Sequence, residues 1–357
     1  MQNRRREREI LERIASQTGL SVSSVYKIRS DSFAFSQETA EQVERLARQY
    51  GLGPGAAPGA DLRIGVLIPC RPAYFWREAA QGMREGRRRW EKASGRRVQL
   101  LFFYYGPSDP GLGPAQPALS QLAQAGCDGY VLFPVGQDCC LDFIRRGRGA
   151  KPLVLFNDLP RGWEPGLLQG GPDLCCIGAD SREEGEKAAE ILGAALPGAR
   201  HILTALTYDS QNATAALARI GRFRERVLEA DPRALLEPLQ LKGESKLTPA
   251  LLAGEIWRIH QHLPVDCIYI SSGVTHLVCR AVEKLRRRYG EGRAGMVCIG
   301  HELLPSDRKY LLDGIEAGYV KQDVYRQGRA AVEALLSFLW EGVPLENQYF
   351  PSSRFIR

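Results

Sequence analysis

The sequence predicts a small N-terminal all-α head of helix-turn-helix type, followed by a long α/β domain of parallel sheets flanked by helices. Three observations predict this. Residues 8–50 carry apolar side chains at helical spacing, interrupted by Gly19. Residues 51–60 are glycine, proline and alanine with a single leucine. From Leu62 onward, short apolar runs alternate with longer amphipathic ones, the pattern of strands covered on both faces by helices.

In the head, Ile10, Leu11 and Ile14 make one apolar face over residues 10–17, and Gly19 ends it with the positive φ that a sharp turn needs. Ala15 is small enough to let a second helix cross closely. Ser21 can cap that helix, because its hydroxyl accepts from an exposed backbone N–H one turn on. Across residues 22–29, Val25 and Ile28 face inward, and Ser23, Ser24, Lys27 and Arg29 face outward. Ser36 can cap a third helix, with Thr39 beside its acidic first turn and Val43 and Leu46 facing in. Two short helices around a glycine turn fit a helix-turn-helix, and a small dimerisation bundle is the competing reading. Residues 1–8 read as a flexible basic arm and residues 53–61 as a linker.

The length of 357 residues allows two or three domains, and a composition 44% hydrophobic and 25% charged is that of ordinary globular cores. The net charge of +7 favours a polyanionic partner without identifying one. Residues 1–30 hold seven arginines and lysines against three glutamates, which is more than half of that excess. The N-terminus is charged and no apolar run is long enough to cross a bilayer, so a cytoplasmic chain with no membrane partner is expected. Nine cysteines without a C-x-x-C, including the adjacent pairs Cys139-Cys140 and Cys175-Cys176, read as buried reduced thiols. His260 and His262 are two apart on an expected helix and point to different faces. No metal site and no cofactor are expected. Neither G-x-G-x-x-G after the first strand nor G-x-x-x-x-G-K-[ST] occurs, and no nucleophile–base pair stands out, so an enzyme is not expected.

Strands are expected at residues 63–68, 98–103, 129–133, 153–156, 175–177, 201–207, 267–270 and 296–299. Helices are expected at 75–92, 116–125, 141–148, 183–195, 213–229, 247–262, 275–289 and 324–340. Sheets of this kind bind ligands outside the carboxyl ends of their strands.

Residues Ile14-Ala15, Thr18-Gly19-Leu20-Ser21, Ser24-Val25, Ile28 and Ser36-Gln37-Glu38-Thr39 resemble the DNA-binding head of the lactose-repressor family of transcription regulators. The rest of the chain resembles the effector-binding domain of that family, and so the periplasmic sugar-binding proteins. Its landmarks come in order: Ile64-Gly65-Val66-Leu67-Ile68-Pro69, Gly126-Cys127-Asp128-Gly129, Asn157-Asp158, Gly178-Ala179-Asp180, Asn212 with Arg219 and Phe223, Ile299-Gly300-His301-Glu302, and Val320-Lys321-Gln322-Asp323 with Gln327-Gly328. The resemblance implies a head at 1–52 and a two-lobed, type I periplasmic-binding-protein-like domain at 62–357. Lobe 1 would span about 62–179 and 323–345, lobe 2 about 180–322 and 346–357, with crossings near Asp180, near Gln322 and at 344–347. It further implies a homodimeric regulator, a repressor by family habit, that binds a palindromic operator and senses a sugar or polyol in the cleft. A sugar receptor with no DNA role is the alternative, and a nucleotide-dependent α/β enzyme is a third reading.

A sugar site needs planar bidentate groups and aromatic walls, and the expected strand ends supply both. By the resemblance, Tyr74, Phe75 and Trp76 offer aromatic faces. Asn157, Asp158, Asn212, Arg219 and Gln322 offer hydrogen bonds, with Gln322 at a lobe crossing. Arg219 stands among small apolar residues, so it is expected to be partly buried and in need of partners. Glu302 stands where the family has aspartate, His301 takes an aromatic place, and Ser272-Gly273 replaces an Asn-Asp pair. Tyr208 and Asp209 are further candidates without a family match. On the DNA side, Val22, Ser23 and Lys27 are expected against base edges, and Ser21, Tyr26 and Arg29 against phosphates, with Ser24 beside them. The family's hinge helix has no counterpart in residues 54–63, where Gly55, Pro58 and Gly59 oppose a helix and no alanine-leucine wedge occurs. A flexible tether is expected there.

Overall fold

The structure is a computed structural model of the chain. It describes residues 2–30, 37–50, 61–70, 73–105, 116–134, 138–147, 151–160, 173–207, 213–241, 247–302, 304 and 307–357. The expected Ser36 cap and the breaker-rich stretch at 51–60 lie outside these residues.

Three helices come first: α1 (Gln2–Thr18), α2 (Val22–Ser30) and α3 (Gln37–Gln49). Leu11, Ile14, Ala15, Val25, Ile28, Val43 and Ala47 are buried between them. Gly19 turns the chain at φ 69°, and the Ser21 hydroxyl accepts the Ser24 N–H at 3.0 Å. The helix begins at Gln2, so residues 2–8 are helical and not the flexible arm expected. Arginine, glutamate and glutamine are good helix formers, and the Arg8–Glu12 pair at 3.1 Å has the helical spacing.

The α/β region then alternates β1 (Leu62–Pro69), α4 (Ala73–Ser94), β2 (Val98–Tyr105), α5 (Gln116–Gln124), β3 (Gly129–Leu132), α6 (Asp138–Gly147), β4 (Leu153–Asn157) and β5 (Leu174–Ala179). A second series follows with α7 (Ser181–Ala195), β6 (His201–Thr207), α8 (Ala213–Ala230), β7 (Leu235–Leu241), α9 (Pro249–His262), β8 (Cys267–Ile270), α10 (Thr275–Tyr289), β9 (Val297–His301), α11 (Arg308–Leu312) and β10 (Glu316–Lys321). The chain closes with α12 (Val324–Glu341), β11 (Gln348–Phe350) and β12 (Ser353–Ile356).

The strands form two six-stranded sheets, ordered β11-β5-β4-β3-β1-β2 and β12-β10-β9-β8-β6-β7. Every pairing is parallel except β10 with β12. All residues of β3, β4 and β5 are buried, because helices cover both faces of the first sheet. α12 returns from the second lobe to pack on α4. The backbones approach so closely that a Cβ at Gly82 would overlap the Tyr325 carbonyl.

The chain passes between the sheets at Asp180, at Gln322 and Asp323, and at Pro351 and Ser352. The last crossing differs from the expected 344–347, because β11 still pairs with β5 of the first sheet. β7, β10, β11, β12 and α11 were also not expected. β7 contains Glu237 and Pro238, which break a strand signature, yet it lies at a sheet edge where the missing N–H costs nothing. β12 is exposed along its length, so it carries no apolar signature.

Candidate functional site

The carboxyl ends of the two sheets bring polar side chains from both lobes together. At the end of β4, Asn157 takes φ 69°, a conformation asparagine tolerates better than most residues. Its Nδ2 donates to Gln322 Oε1 at 2.6 Å and to Gln327 Oε1 at 2.9 Å. The Gln322 backbone N–H donates to Glu302 Oε1 at 2.9 Å. Three amides and a carboxyl thus link the first lobe, the second crossing, the first turn of α12 and the end of β9. Asn157 and Gln322 were expected to face the ligand, and their amides instead bond each other. Gln327, fully buried, joins this cluster and was not among the expected site residues.

Asp158 is buried at the seam between the lobes. Its carboxyl accepts from the Leu159 N–H at 2.8 Å and from the Ala215 N–H in the first turn of α8. A first-lobe carboxyl therefore docks on the N-terminal end of a second-lobe helix, where the exposed N–H groups and the helix dipole favour negative charge. Burial nonetheless pushes it up to about 7, against the opposing pull of those N–H bonds and Arg219.

Arg219 is 3% exposed and is held by protein oxygens alone in this structure. Nε donates to Glu184 Oε2 at 2.8 Å, and Nη1 to the Ser271 carbonyl at 3.0 Å. Glu184 Oε1 accepts from the Ser352 hydroxyl at 2.9 Å. The close approach of α7 and α8 permits this, since a Cβ at Gly185 would overlap the Arg219 carbonyl. Glu184 was also missed. Its signal was its place on the apolar stripe of α7, in line with Ala188 and Ile191.

Glu302 follows β9 at φ 58°, and burial pushes its carboxyl up to about 8. The Tyr74 hydroxyl is raised by its own burial and, from the second lobe, by the charges of Glu302 and Asp307. Phe75 and Trp76 turn into the first lobe's core, where Trp76 meets Phe133 edge-on at 4.6 Å and Phe75 at 4.9 Å. Tyr74 is the one of the three aromatics that is only partly buried. His301 lies beneath this surface, 3.0 Å from the Tyr269 hydroxyl, and burial together with Arg219 holds its imidazole neutral. It belongs to the core and forms no aromatic wall. Ser272 is buried and Gly273 exposed after β8. Asn212, Tyr208 and Asp209 lie outside the described residues.

In the head, Ser21, Val22, Ser23 and Tyr26 are exposed, Tyr26 by 62%, and Ser24 is half-buried. The Ser21 hydroxyl hydrogen-bonds those of Ser23 and Ser24 at 2.8 and 2.9 Å. The side chains of Lys27 and Arg29 lie outside the described residues. All nine cysteines are free thiols. Among the described residues, no group of three histidines, cysteines or carboxylates is placed to hold a metal, and no helix is long and apolar enough to cross a membrane.

Residues 64–340 match the periplasmic binding protein domain family. The chain belongs to that family. Such a domain binds its ligand without transforming it, and the chain is not an enzyme. No curated protein matches it. Among solved structures, this periplasmic binding protein domain is similar to a proposed LacI transcriptional regulator of Bacteroides fragilis, with a TM-score of 0.68 and 16% identity over 83% of this chain and 96% of that one. It is similar to an ABC transporter solute-binding protein of Bacillus halodurans with bound myo-inositol, at TM-score 0.63 and 15% identity over 84% and 96%. It is also similar to the periplasmic sugar-binding protein of an ABC sugar transporter of Legionella pneumophila, at TM-score 0.61 and 11% identity over 80% and 98%. Most of these similar structures are such transporter receptors, which overturns the expectation of a cytoplasmic chain. That expectation rested on the charge of the first residues and on unpaired cysteines, and neither fixes a compartment.

Proposed function

We propose that the chain is a receptor that closes its lobes around a small polyhydroxy molecule, a sugar or a polyol. The observation that carries this reading is the convergence of polar groups from both lobes on one seam. Tyr74 and Asp158 come from the first lobe, Glu302 and Arg219 from the second, and Gln322 stands where the chain crosses. Carboxyls and a guanidinium in a buried seam are the groups that take vicinal hydroxyls in fixed directions. The relatives in fold that hold myo-inositol support it. Thermal-shift titration of the full chain against sugars and polyols tests it. At least one compound raises the melting temperature, and Asp158→Asn abolishes that rise while circular dichroism stays unchanged. A response retained in Asp158→Asn places the ligand elsewhere.

A second reading is favoured by the three-helix unit. A head at 1–52, joined through 53–61 to the receptor at 62–357, would read DNA with Ser21, Val22, Ser23, Ser24, Tyr26, Lys27 and Arg29. The packed core of α1, α2 and α3 leaves Ser21, Val22, Ser23 and Tyr26 outward on one helix start, and residues 1–30 carry seven arginines and lysines against three glutamates. A homodimer binding a palindromic operator as a ligand-responsive repressor follows from this reading. The ligand shifts DNA affinity only through its differential affinity for the two lobe arrangements. In a gel shift with salt titration, Lys27→Ala relaxes base preference. Unchanged preference removes Lys27 from the interface, and no duplex binding at low salt removes the reading.

A further inference from the structure

We infer that Ser352, at the third crossing, is a positioning residue for the ligand-binding arginine. By occupying one oxygen of Glu184, it keeps a terminal nitrogen of Arg219 open to the ligand. This rests on the receptor reading above, which gives Arg219 a ligand to hold. Arg219 Nε donates to Glu184 Oε2 at 2.8 Å, and Nη1 to the Ser271 carbonyl at 3.0 Å. Those are its two hydrogen bonds among the described residues, and neither involves Nη2. Nη2 is therefore the nitrogen left to meet a ligand oxygen.

A carboxylate and a guanidinium left to themselves do not stop there. Their strong arrangement is bidentate, with two parallel N–H···O bonds, and a carboxylate beside Nε finds its second donor in Nη2. Glu184 makes one of those two bonds. Its other oxygen, Oε1, accepts instead from the Ser352 hydroxyl at 2.9 Å. All three side chains are buried. The hydroxyl thus turns half of the carboxylate away from the arginine in a place where the full fork would otherwise form.

Ser352 is itself held in place. Its carbonyl accepts from Lys187 Nζ, one turn along α7 from Glu184, and Lys187 also pairs with Glu183. The same helix starts at the first crossing, where the Asp180 carboxylate accepts the N–H groups of Arg182 and Glu183 at 2.9 and 3.1 Å. The first two turns of α7 therefore grip the first and third crossings and carry Glu184 between them. The hydroxyl and the carboxylate meet in a fixed geometry before any ligand arrives.

The role of the hydroxyl follows from this arrangement. Without it, Oε1 turns to Nη2 and the pair closes to the bidentate form. A ligand must then break a buried, charge-assisted bond to reach the arginine. The ion pair gains a bond while the site loses a donor, so ligand affinity falls and stability does not. A serine that served only the fold would lower both together.

Ser352→Ala in the full chain tests the inference, beside Ser352→Thr, which keeps the hydroxyl. A crystal structure of ligand-free Ser352→Ala reads the ion pair, with Ser352→Cys, a far weaker donor of similar volume, taking its place where alanine prevents folding. Isothermal titration with myo-inositol, D-arabinose, D-tagatose, D-glucose and D-galactose reads the site. The structure is expected to show Glu184 Oε1 within hydrogen-bond distance of Arg219 Nη2. Binding is expected to weaken about tenfold or more in Ser352→Ala and to return in Ser352→Thr, with the urea midpoint of Ser352→Ala no lower than that of the parent chain. Oε1 still turned from Nη2, unchanged affinity, or affinity lost only in step with stability overturns the inference and leaves the receptor reading standing. Silence of the parent chain toward all the compounds counts against the receptor reading, and the position of Oε1 in the variant then decides the inference by itself.

Discussion

Arg219 is held by Glu184 and the Ser271 carbonyl before any ligand arrives, so its first duty is to join α7, α8 and β8. Removing Glu184 strands a buried guanidinium. Glu184→Ala is expected to cost about 3–5 kcal/mol in the urea midpoint analysis, far more than a surface ion-pair deletion. Titration is the other residue-scale consequence. Asp158 at about 7, and Glu302 and Glu316 each at about 8, all sit above the values carboxyls have in an unfolded chain. A folded-state pKa raised in this way contributes stability at acid pH that is lost as pH rises through the folded value. The ligand-free melting temperature should therefore fall from about pH 4, where these carboxyls ionise in the unfolded chain, to about pH 8, where they ionise in the folded one. Asp158→Asn combined with Glu302→Gln should flatten the fall. Residue types were legible at this scale and pairings were not. Asn157, Asp158 and Gln322 stood out because polar groups ended apolar runs, and Arg219 because it stands among small apolar residues. Glu184 and Gln327 did not, because a carboxylate or amide in the first turn of a helix reads as ordinary end chemistry until its burial is known.

At the scale of elements, two helix pairs fix each lobe's shape. α4 and α12 meet at Gly82, and α7 and α8 meet at Gly185, with no room for a methyl group at either crossing. Gly82→Ala forces those backbones apart and is expected to destabilise by about 1–3 kcal/mol, read from the denaturant midpoint at unchanged slope. Central strands were legible because burial on both faces makes them continuously apolar. The edge strands β7, β11 and β12 were not, because half of an edge faces water and its sequence is free to be polar or to hold a proline.

At the scale of the molecule, the amide cluster of Asn157, Gln322 and Gln327 fixes how the lobes sit, since it ties the end of β4 to the second crossing and the start of α12. Gln327→Leu removes one of the two acceptors of the Asn157 amide in a buried place. The expected outcome is a larger radius of gyration in solution scattering without ligand, together with weaker ligand binding. An unchanged radius would mean that the crossings themselves set the angle. The doubly wound architecture was legible from alternation alone, whereas the site of the third crossing was not, because the three-residue strand β11 carries no signature of the sheet it joins. The compartment was misread for a different reason, since charge and thiol content report on solubility and redox chemistry only indirectly.

The most direct test of a ligand seated between the lobes is a crystal structure of the full chain with its tightest-binding sugar or polyol. The account predicts ligand density bounded by Tyr74 and Asp158 on one side and by Glu302 and Arg219 on the other. Density at any other place, with the seam unchanged from the ligand-free chain, would contradict it.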